Sequence, residues 1–288
     1  MNTSRRIITD GPHNLRDLGG MISKDHRKVK EGILLRSDKL SSLSDRDKKI
    51  LRSMNLCCAY DLRNAHERAD RPDVVIPGCE YIPLPIFPDR VEGITHERDS
   101  ELNSYIRFVE AMLKDRESAK NRMISSYRDF VRSEHCRAQF GFFLEDLLKR
   151  AGEAKECGQK RAFLWHCAGG KDRTGFASVL LEEIFGIPEE DIIDDYMLTN
   201  KYVDQTLPGI SSHVSGAMEE YFGDRIEEIA EQIRGPVADM MLARREYIDA
   251  AYEEAERCYG SFSSFLTKGL ELTLEKQEEM RRLFLERG

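Results

Sequence analysis

Short apolar runs alternate with helix-like stretches along the first two thirds of the chain. Four of these runs have the length of strands, at residues 33–35, 56–62, 81–84 and 161–166. Ser44 and Asp47 form a pattern typical of a helix start, which predicts a helix from there to about Met54. Because strands that alternate with helices pack as a layered sheet, the pattern predicts an α/β fold.

Two longer stretches are helical in pattern and do not alternate with strands. Residues 99–154 repeat apolar positions at a spacing of three to four, and residues 208–288 are helical and strongly charged. No linker rich in Pro, Gly or Ser divides the chain, so we predict a single domain over residues 1–288. We interpret residues 94–154 as a helical insertion and residues 204–258 as a possible helical lid, with core packing as the alternative for the latter.

Composition narrows the class of protein. The chain has 288 residues, of which 40% are hydrophobic and 33% are charged, as expected for a globular protein with a highly charged surface. The net charge of −8 argues against a nucleic-acid binder but permits an anionic substrate in a locally positive cleft. Seven cysteines without a CxxC pair, and histidines without metal-ligand spacing, predict reduced thiols and no metal site.

The sequence predicts neither a signal peptide nor a membrane-spanning segment. The first twelve residues contain no apolar signal-peptide core, and no stretch of about 18 apolar residues occurs. We therefore expect a cytoplasmic protein with no integral membrane span. Secretion by a route that needs no signal peptide stays open as an alternative.

One loop concentrates the candidate chemistry. An apolar run at residues 162–165 leads into it and a helix-like run at 176–185 follows it. A glycine-containing loop between a strand and a helix turns backbone N–H groups inward around an anion. The residues that we expect to line such a phosphate site are Ala168, Gly169, Gly170, Lys171, Asp172 and Arg173.

Four side chains at this loop suggest catalysis on a phosphate. Cys167 stands at its start, where the positive environment favours a nucleophilic thiolate that attacks phosphorus and forms a phosphocysteine. Arg173 follows six positions later and can clamp two phosphate oxygens. Thr174 is placed to donate a hydroxyl hydrogen bond to the sulfur, and His166 to orient the loop through its ring nitrogens.

These residues match a known signature. Cys167, Arg173 and the following Thr-Gly resemble the Cys-x5-Arg loop of the protein-tyrosine phosphatase superfamily, and residues 170–175, Gly-Lys-Asp-Arg-Thr-Gly, resemble its atypical bacterial tyrosine and lipid phosphatase branch. Other stretches similar to that branch are residues 14–20, 35–38, 61–63 and 195–200, so the resemblance covers about the whole chain.

The resemblance implies both a fold and an activity. It implies a central, mostly parallel sheet of about four or five strands with helices on both faces and the loop at the carboxyl end of a strand. It implies hydrolysis of phosphotyrosine in proteins and often of phosphoinositides, that is dual specificity, without a metal or other cofactor. Lys171 agrees with a polyanionic head group, although it could equally serve phosphotyrosine.

The general acid that protonates the leaving oxygen is left with two candidates. Asp172 lies in the loop, where the pattern of the branch places an acid, but the cations on either side favour its ionised form. Asp89, in Phe87-Pro88-Asp89, resembles the mobile aspartate loop of ordinary tyrosine phosphatases but lies far upstream of Cys167. We favour Asp172.

Three further charged residues have supporting roles in this interpretation. Asp61 and Arg63 either face the site from the end of a strand or form a surface ion pair there. Asp195 is an ion-pair or capping partner that supports the loop. Two other functions stay open: a phosphatase-like module that binds phosphorylated ligands without turnover, and a sulfurtransferase of the rhodanese type, whose active loop also starts with cysteine.

Overall fold

A computed structural model describes the protein at residues 5–88, 109–110, 112–202 and 221–287. A five-stranded sheet lies at its centre, in the order β1-β3-β6-β4-β5. All neighbouring pairs run parallel except β1 and β3, which are antiparallel. A small antiparallel pair of β2 and β7 lies apart from this sheet. The strands are β1 (Arg16–Asp17), β2 (Arg27–Val29), β3 (Leu34–Ser37), β4 (Leu56–Asp61), β5 (Glu80–Pro83), β6 (Ala162–His166) and β7 (Leu285–Arg287).

Helices make up most of the regular structure outside the strands. The longer ones are α1 (Asp45–Ser53), α2 (Ala65–Asp70), α3 (Ser118–Arg132), α4 (Glu134–Glu156), α5 (Asp172–Phe185), α6 (Glu189–Met197), α7 (Ile226–Met241), α8 (Arg245–Tyr259) and α9 (Leu274–Phe284). In the described ranges, no helix is long and apolar enough to cross a membrane. The mixed α/β architecture with a mostly parallel sheet confirms the predicted fold class.

The central strand β6 is fixed from both faces. All five of its residues are buried, and it pairs with β3 on one side and β4 on the other. Phe163 and Trp165 pack in the larger core with α4 and α5, while Ala162 and Leu164 pack in a smaller core with α1. Alternate residues of a strand face opposite sides of a sheet, so this apolar run needs both layers to be covered. The loop after β6 therefore starts from a rigid point.

The helical regions outside the alternation differ in their burial. In the region predicted as an insertion, α3 and α4 bury Tyr127, Phe130 and Phe140 in the larger core. Within the possible lid, α8 buries Tyr247 and Ile248 in that same core, so its residues belong to the body of the protein. The helix α7 buries little of its surface, and residues 203–220 lie outside the described ranges. The limits of the insertion and of the lid stay predictions.

Candidate active site

The loop after β6 has the geometry of an anion cradle. Cys167 follows the strand directly, and its side chain is almost completely buried. Gly170 has a φ of +65°, and a Cβ there would lie 2.7 Å from the backbone N of Asp38. Only glycine satisfies both constraints. The helix α5 begins at Asp172 without a side-chain cap, so the N–H groups of its first turn remain available to an anion.

Hydrogen bonds from Asn14 and Arg36 hold two backbone carbonyl groups of the loop so that they do not face the anion site. The amide of Asn14 donates to the carbonyl oxygens of Gly169 and Gly170, at 3.3 and 3.1 Å. Arg36 donates to the same Gly170 oxygen at 3.0 Å. Carbonyl oxygens next to a phosphate would repel it, so these bonds keep the lining of the loop positive. Sequence reasoning did not assign this role to Asn14 or Arg36, although both lie in stretches that resemble the family.

Asp195 holds the arginine side chains that lie next to the loop. Its buried carboxylate accepts hydrogen bonds from Arg5, Arg16 and Arg36, the last at 2.7 Å. Burial works to raise the pKa of Asp195, but the three guanidinium groups outweigh it and hold the pKa well below its usual range. Asp195 therefore acts on the loop through Arg36, as the ion-pair partner expected from the sequence, and does not belong to the phosphate-binding surface.

Arg173 is oriented by a carboxylate that the sequence did not single out. Its two terminal nitrogens donate to the two oxygens of Glu67 at 2.6 and 2.7 Å. Glu67 in turn closes the capping box of α2 with Asn64. Burial works to lower the pKa of Arg173, but the bonds to Glu67 and the nearby sulfur of Cys167 raise it above its usual range. The guanidinium is thus fixed, charged and close to the nucleophile.

Lys171 and Asp172 are both engaged by neighbouring elements. The ammonium of Lys171 donates to the carbonyls of Met240 and Leu242, at the end of α7, and lies 3.5 Å from Oδ1 of Asp172. Asp172 accepts a hydrogen bond of 2.8 Å from the hydroxyl of Tyr127. Of the two candidate acids, Asp172 is therefore held at the loop, whereas Asp89 lies outside the described residues.

The expected bond from Thr174 to the sulfur is not present. The hydroxyl of Thr174 is buried and has no hydrogen-bond partner among the described residues. Its backbone carbonyl accepts from Trp165 and from Ser178, which fixes the start of α5 from the core side. The position of Thr174 in the sequence predicted that its hydroxyl lies at the loop. It could not predict the side-chain rotamer, which depends on packing in the folded protein.

A buried charge cluster lies beneath the loop. Arg63 bonds both oxygens of Asp61 and lies 2.9 Å from Asp73. Nε2 of His166 lies 3.1 Å from Asp73, and its Nδ1 lies 4.0 Å from Asp61. Both Asp61 and Arg63 are buried, so the alternative of a surface ion pair was wrong. They support the strand end that carries His166 and Cys167.

The same cluster has the residue types of a cation site. Ligand atoms of Asp61, Asp73 and His166 all lie within 4.8 Å of one another. The guanidinium of Arg63, however, already lies 2.7 Å from the first carboxylate and 2.9 Å from the second. Burial works to raise the pKa of Asp73, but His166 and Arg63 lower it, so protein groups stabilise the ionised carboxylate. The cluster therefore fits a structural ion pair.

Comparison with known proteins agrees with this geometry. Triple specificity protein phosphatase PtpB of Mycobacterium tuberculosis is 27% identical, over 89% of this chain and 91% of its own length. A relative from Cupriavidus necator is 25% identical, over 92% of this chain and 84% of its own length. A tyrosine-protein phosphatase of Nostoc commune is 25% identical, over 59% of this chain and 49% of its own length. The model of the tyrosine phosphatase family matches residues 7–286, which is nearly the whole chain, and the chain therefore belongs to that family.

Proposed function

We propose that this member of the tyrosine phosphatase family hydrolyses phosphotyrosine in proteins and phosphoinositides, through a phosphocysteine at Cys167. The observation that carries the proposal is the meeting of a buried cysteine with the guanidinium of Arg173 in one loop at the start of α5. The family assignment removes the sulfurtransferase alternative. A binding module without turnover stays as the rival.

The first step is attack of the Cys167 sulfur on phosphorus. The S–P bond forms as the bond to the leaving oxygen breaks, and that oxygen takes a proton from a general acid, for which we propose Asp172. The fork of Arg173 and the N–H groups of the loop are placed to hold the phosphate oxygens and to stabilise their charge. Water then hydrolyses the phosphocysteine and restores the thiolate.

The lipid part of the proposal depends on Lys171. Its ammonium is bonded to two neutral carbonyl oxygens, of Met240 and Leu242. A second phosphate on a substrate is a stronger partner for an ammonium than a carbonyl is, because both groups carry full charges. A phosphoinositide head group can therefore draw Lys171 away from the end of α7, whereas phosphotyrosine has only the phosphate held by the loop.

One panel tests the proposal. Purified wild type and Cys167→Ser are assayed against phosphotyrosine peptides and phosphoinositides in the presence of a chelator. We expect turnover of both classes by wild type, none by the variant, and phosphocysteine in acid-quenched wild type. Binding without turnover by wild type would favour the rival module, and hydrolysis of peptides alone would remove the lipid part of the proposal.

A further inference from the structure

Two buried tyrosines reach Asp172 from helices outside the loop. The hydroxyl of Tyr127, on α3, donates to Oδ1 of Asp172 at 2.8 Å. The same hydroxyl lies 2.6 Å from that of Tyr196, on α6. Both tyrosine side chains are fully buried. A substituent on Gly175 would lie 3.0 Å from the ring of Tyr196, so this glycine lets the ring approach α5. Neither tyrosine hydroxyl takes part in the phosphate binding proposed above.

The two phenols have a fixed direction of hydrogen bonding. Burial, followed by the nearby charge of Asp172, raises the pKa of both Tyr127 and Tyr196 well above the ordinary value, so both stay protonated. Each phenol has a single proton to donate. Since Tyr127 donates its proton to Asp172, the bond between the two hydroxyls must be donated by Tyr196. The hydrogen bonds therefore run from Tyr196 to Tyr127 to Asp172.

This arrangement makes the two oxygens of Asp172 different. Oδ1 accepts from Tyr127 and also lies 3.5 Å from the ammonium of Lys171. Oδ2 makes no hydrogen bond or ion pair with the part of the chain that the structure describes, and the side chain is 30% exposed. A carboxyl group whose Oδ1 is occupied by donors carries its proton on the other oxygen.

We infer that Tyr127, supported by Tyr196, is a positioning residue that holds Oδ1 of Asp172 and directs Oδ2 to deliver the proton. The inference rests on the proposed function and adds to it the groups that set the geometry of the acid. In the first step the proton moves from Oδ2 to the leaving oxygen as its bond to phosphorus breaks. In the second step Oδ2 takes a proton from the attacking water, while the S–P electron pair returns to sulfur.

The test is the dependence of rate on the leaving group. Tyr127→Phe is assayed on a series of aryl phosphates, from 2,4-dinitrophenyl phosphate, which needs no acid, to phenyl phosphate, which does. We expect kcat/KM to fall about tenfold or more for phenyl phosphate and less than about threefold for the dinitrophenyl ester. Tyr196→Phe should shift the series in the same direction by a smaller factor.

Two further variants separate positioning from folding. Tyr60 is also fully buried and donates to a carboxylate, Asp146, at 2.8 Å, away from the loop. Tyr60→Phe therefore removes a matched hydrogen bond and should leave the leaving-group dependence as in wild type. In Asp172→Asn, adding Tyr127→Phe should not steepen that dependence, because the group on which Tyr127 acts is gone.

The possible results separate a failure of the positioning role from a failure of the proposed function. A loss for Tyr127→Phe that is equal across the series, or a steepening that persists in the double variant, would overturn the positioning role while phosphatase activity stands. If Tyr127→Phe does not fold, Tyr196→Phe decides by the same criterion. If wild type hydrolyses none of the esters, the proposed function itself fails, and the inference with it.

Discussion

Replacing Glu67 by glutamine tests how far the orientation of Arg173 matters for turnover. The two side chains are mostly buried, at 14% exposure for Arg173 and 29% for Glu67, and they share two short hydrogen bonds. Glutamine keeps one acceptor oxygen but turns an NH2 group toward a guanidinium N–H. One charge-assisted bond is lost, which is worth about 1.5–3 kcal/mol.

The expected change in kcat/KM depends on whether the bond between Glu67 and Arg173 acts in the transition state or in the ground state. If Glu67 fixes the fork of Arg173 for the transition state, the loss corresponds to a decrease of about 10- to 150-fold in kcat/KM. The decrease should lie in kcat, because removing the negative charge of Glu67 makes Arg173 a better partner for the ground-state phosphate. The assay is steady-state hydrolysis of p-nitrophenyl phosphate and of a phosphotyrosine peptide, with the melting temperature measured in parallel.

A control variant separates this effect from helix capping. The side chain of Asn64 accepts from the backbone N–H of Glu67 at 2.9 Å, and Asn64→Ala removes that cap while leaving the ion pair in place. The variant should lose about 1 kcal/mol of stability and little activity. Activity within threefold of wild type in Glu67→Gln, or an equal loss of kcat in both variants, would refute the reasoning.

Three other predictions concern the loop and its support. Asp172→Asn should slow phenyl phosphate far more than 2,4-dinitrophenyl phosphate, and equal losses, or this selective loss in Asp89→Asn instead, would contradict the favoured acid. Lys171→Met should lower kcat/KM about tenfold or more on phosphoinositides but less than threefold on p-nitrophenyl phosphate; a uniform loss would argue for a purely structural lysine. Asp195→Asn should cost about 3–5 kcal/mol in urea unfolding near neutral pH, because it leaves buried arginines unpaired. The folded pKa of Asp195 lies below the unfolded value, so its stabilisation is present above about pH 4 and lost as pH falls; an unchanged acid limb in the variant would contradict this.

The sequence predicted best what local pattern determines. The capping box of Ser44 and Asp47 and the buried strand before Cys167 appear where the pattern placed them. The helix predicted at residues 176–185 is also present, but it begins earlier, at Asp172. Each depends on residues close together in the chain, whose propensities and spacing can be read directly. The two-residue strand β1 and the β2–β7 pair were not predicted, because their strands form through partners distant in sequence.

The site residues that the sequence did not predict were missed for the same physical reason. Glu67 and Tyr127 come from separate helices and meet the loop only through tertiary packing, so nothing in their local sequence marks them. A pattern could suggest that Asp61 and Arg63 pair, but it does not show that both are buried or that Arg63 also pairs with Asp73, which lies beyond α2. The cytoplasmic location and the limits of the lid stay predictions.

The charges around the loop explain how an acidic protein can hold a dianion. Among the described residues that support or line the loop, Arg16 and Arg36 share Asp195, Arg63 faces Asp61, and Arg173 faces Glu67. Arg63 and Arg173 are balanced by carboxylates and contribute geometry more than net charge. Arg5, Arg16 and Arg36 share one carboxylate, so their cluster keeps a net positive charge. The loop N–H groups and Lys171 add positive charge, and in the described part of the chain the carboxylate that faces Lys171 is that of Asp172, at 3.5 Å. A phosphate that enters the loop therefore meets N–H dipoles and the ammonium of Lys171, a locally positive site that lets a protein with a net charge of −8 hold a dianion.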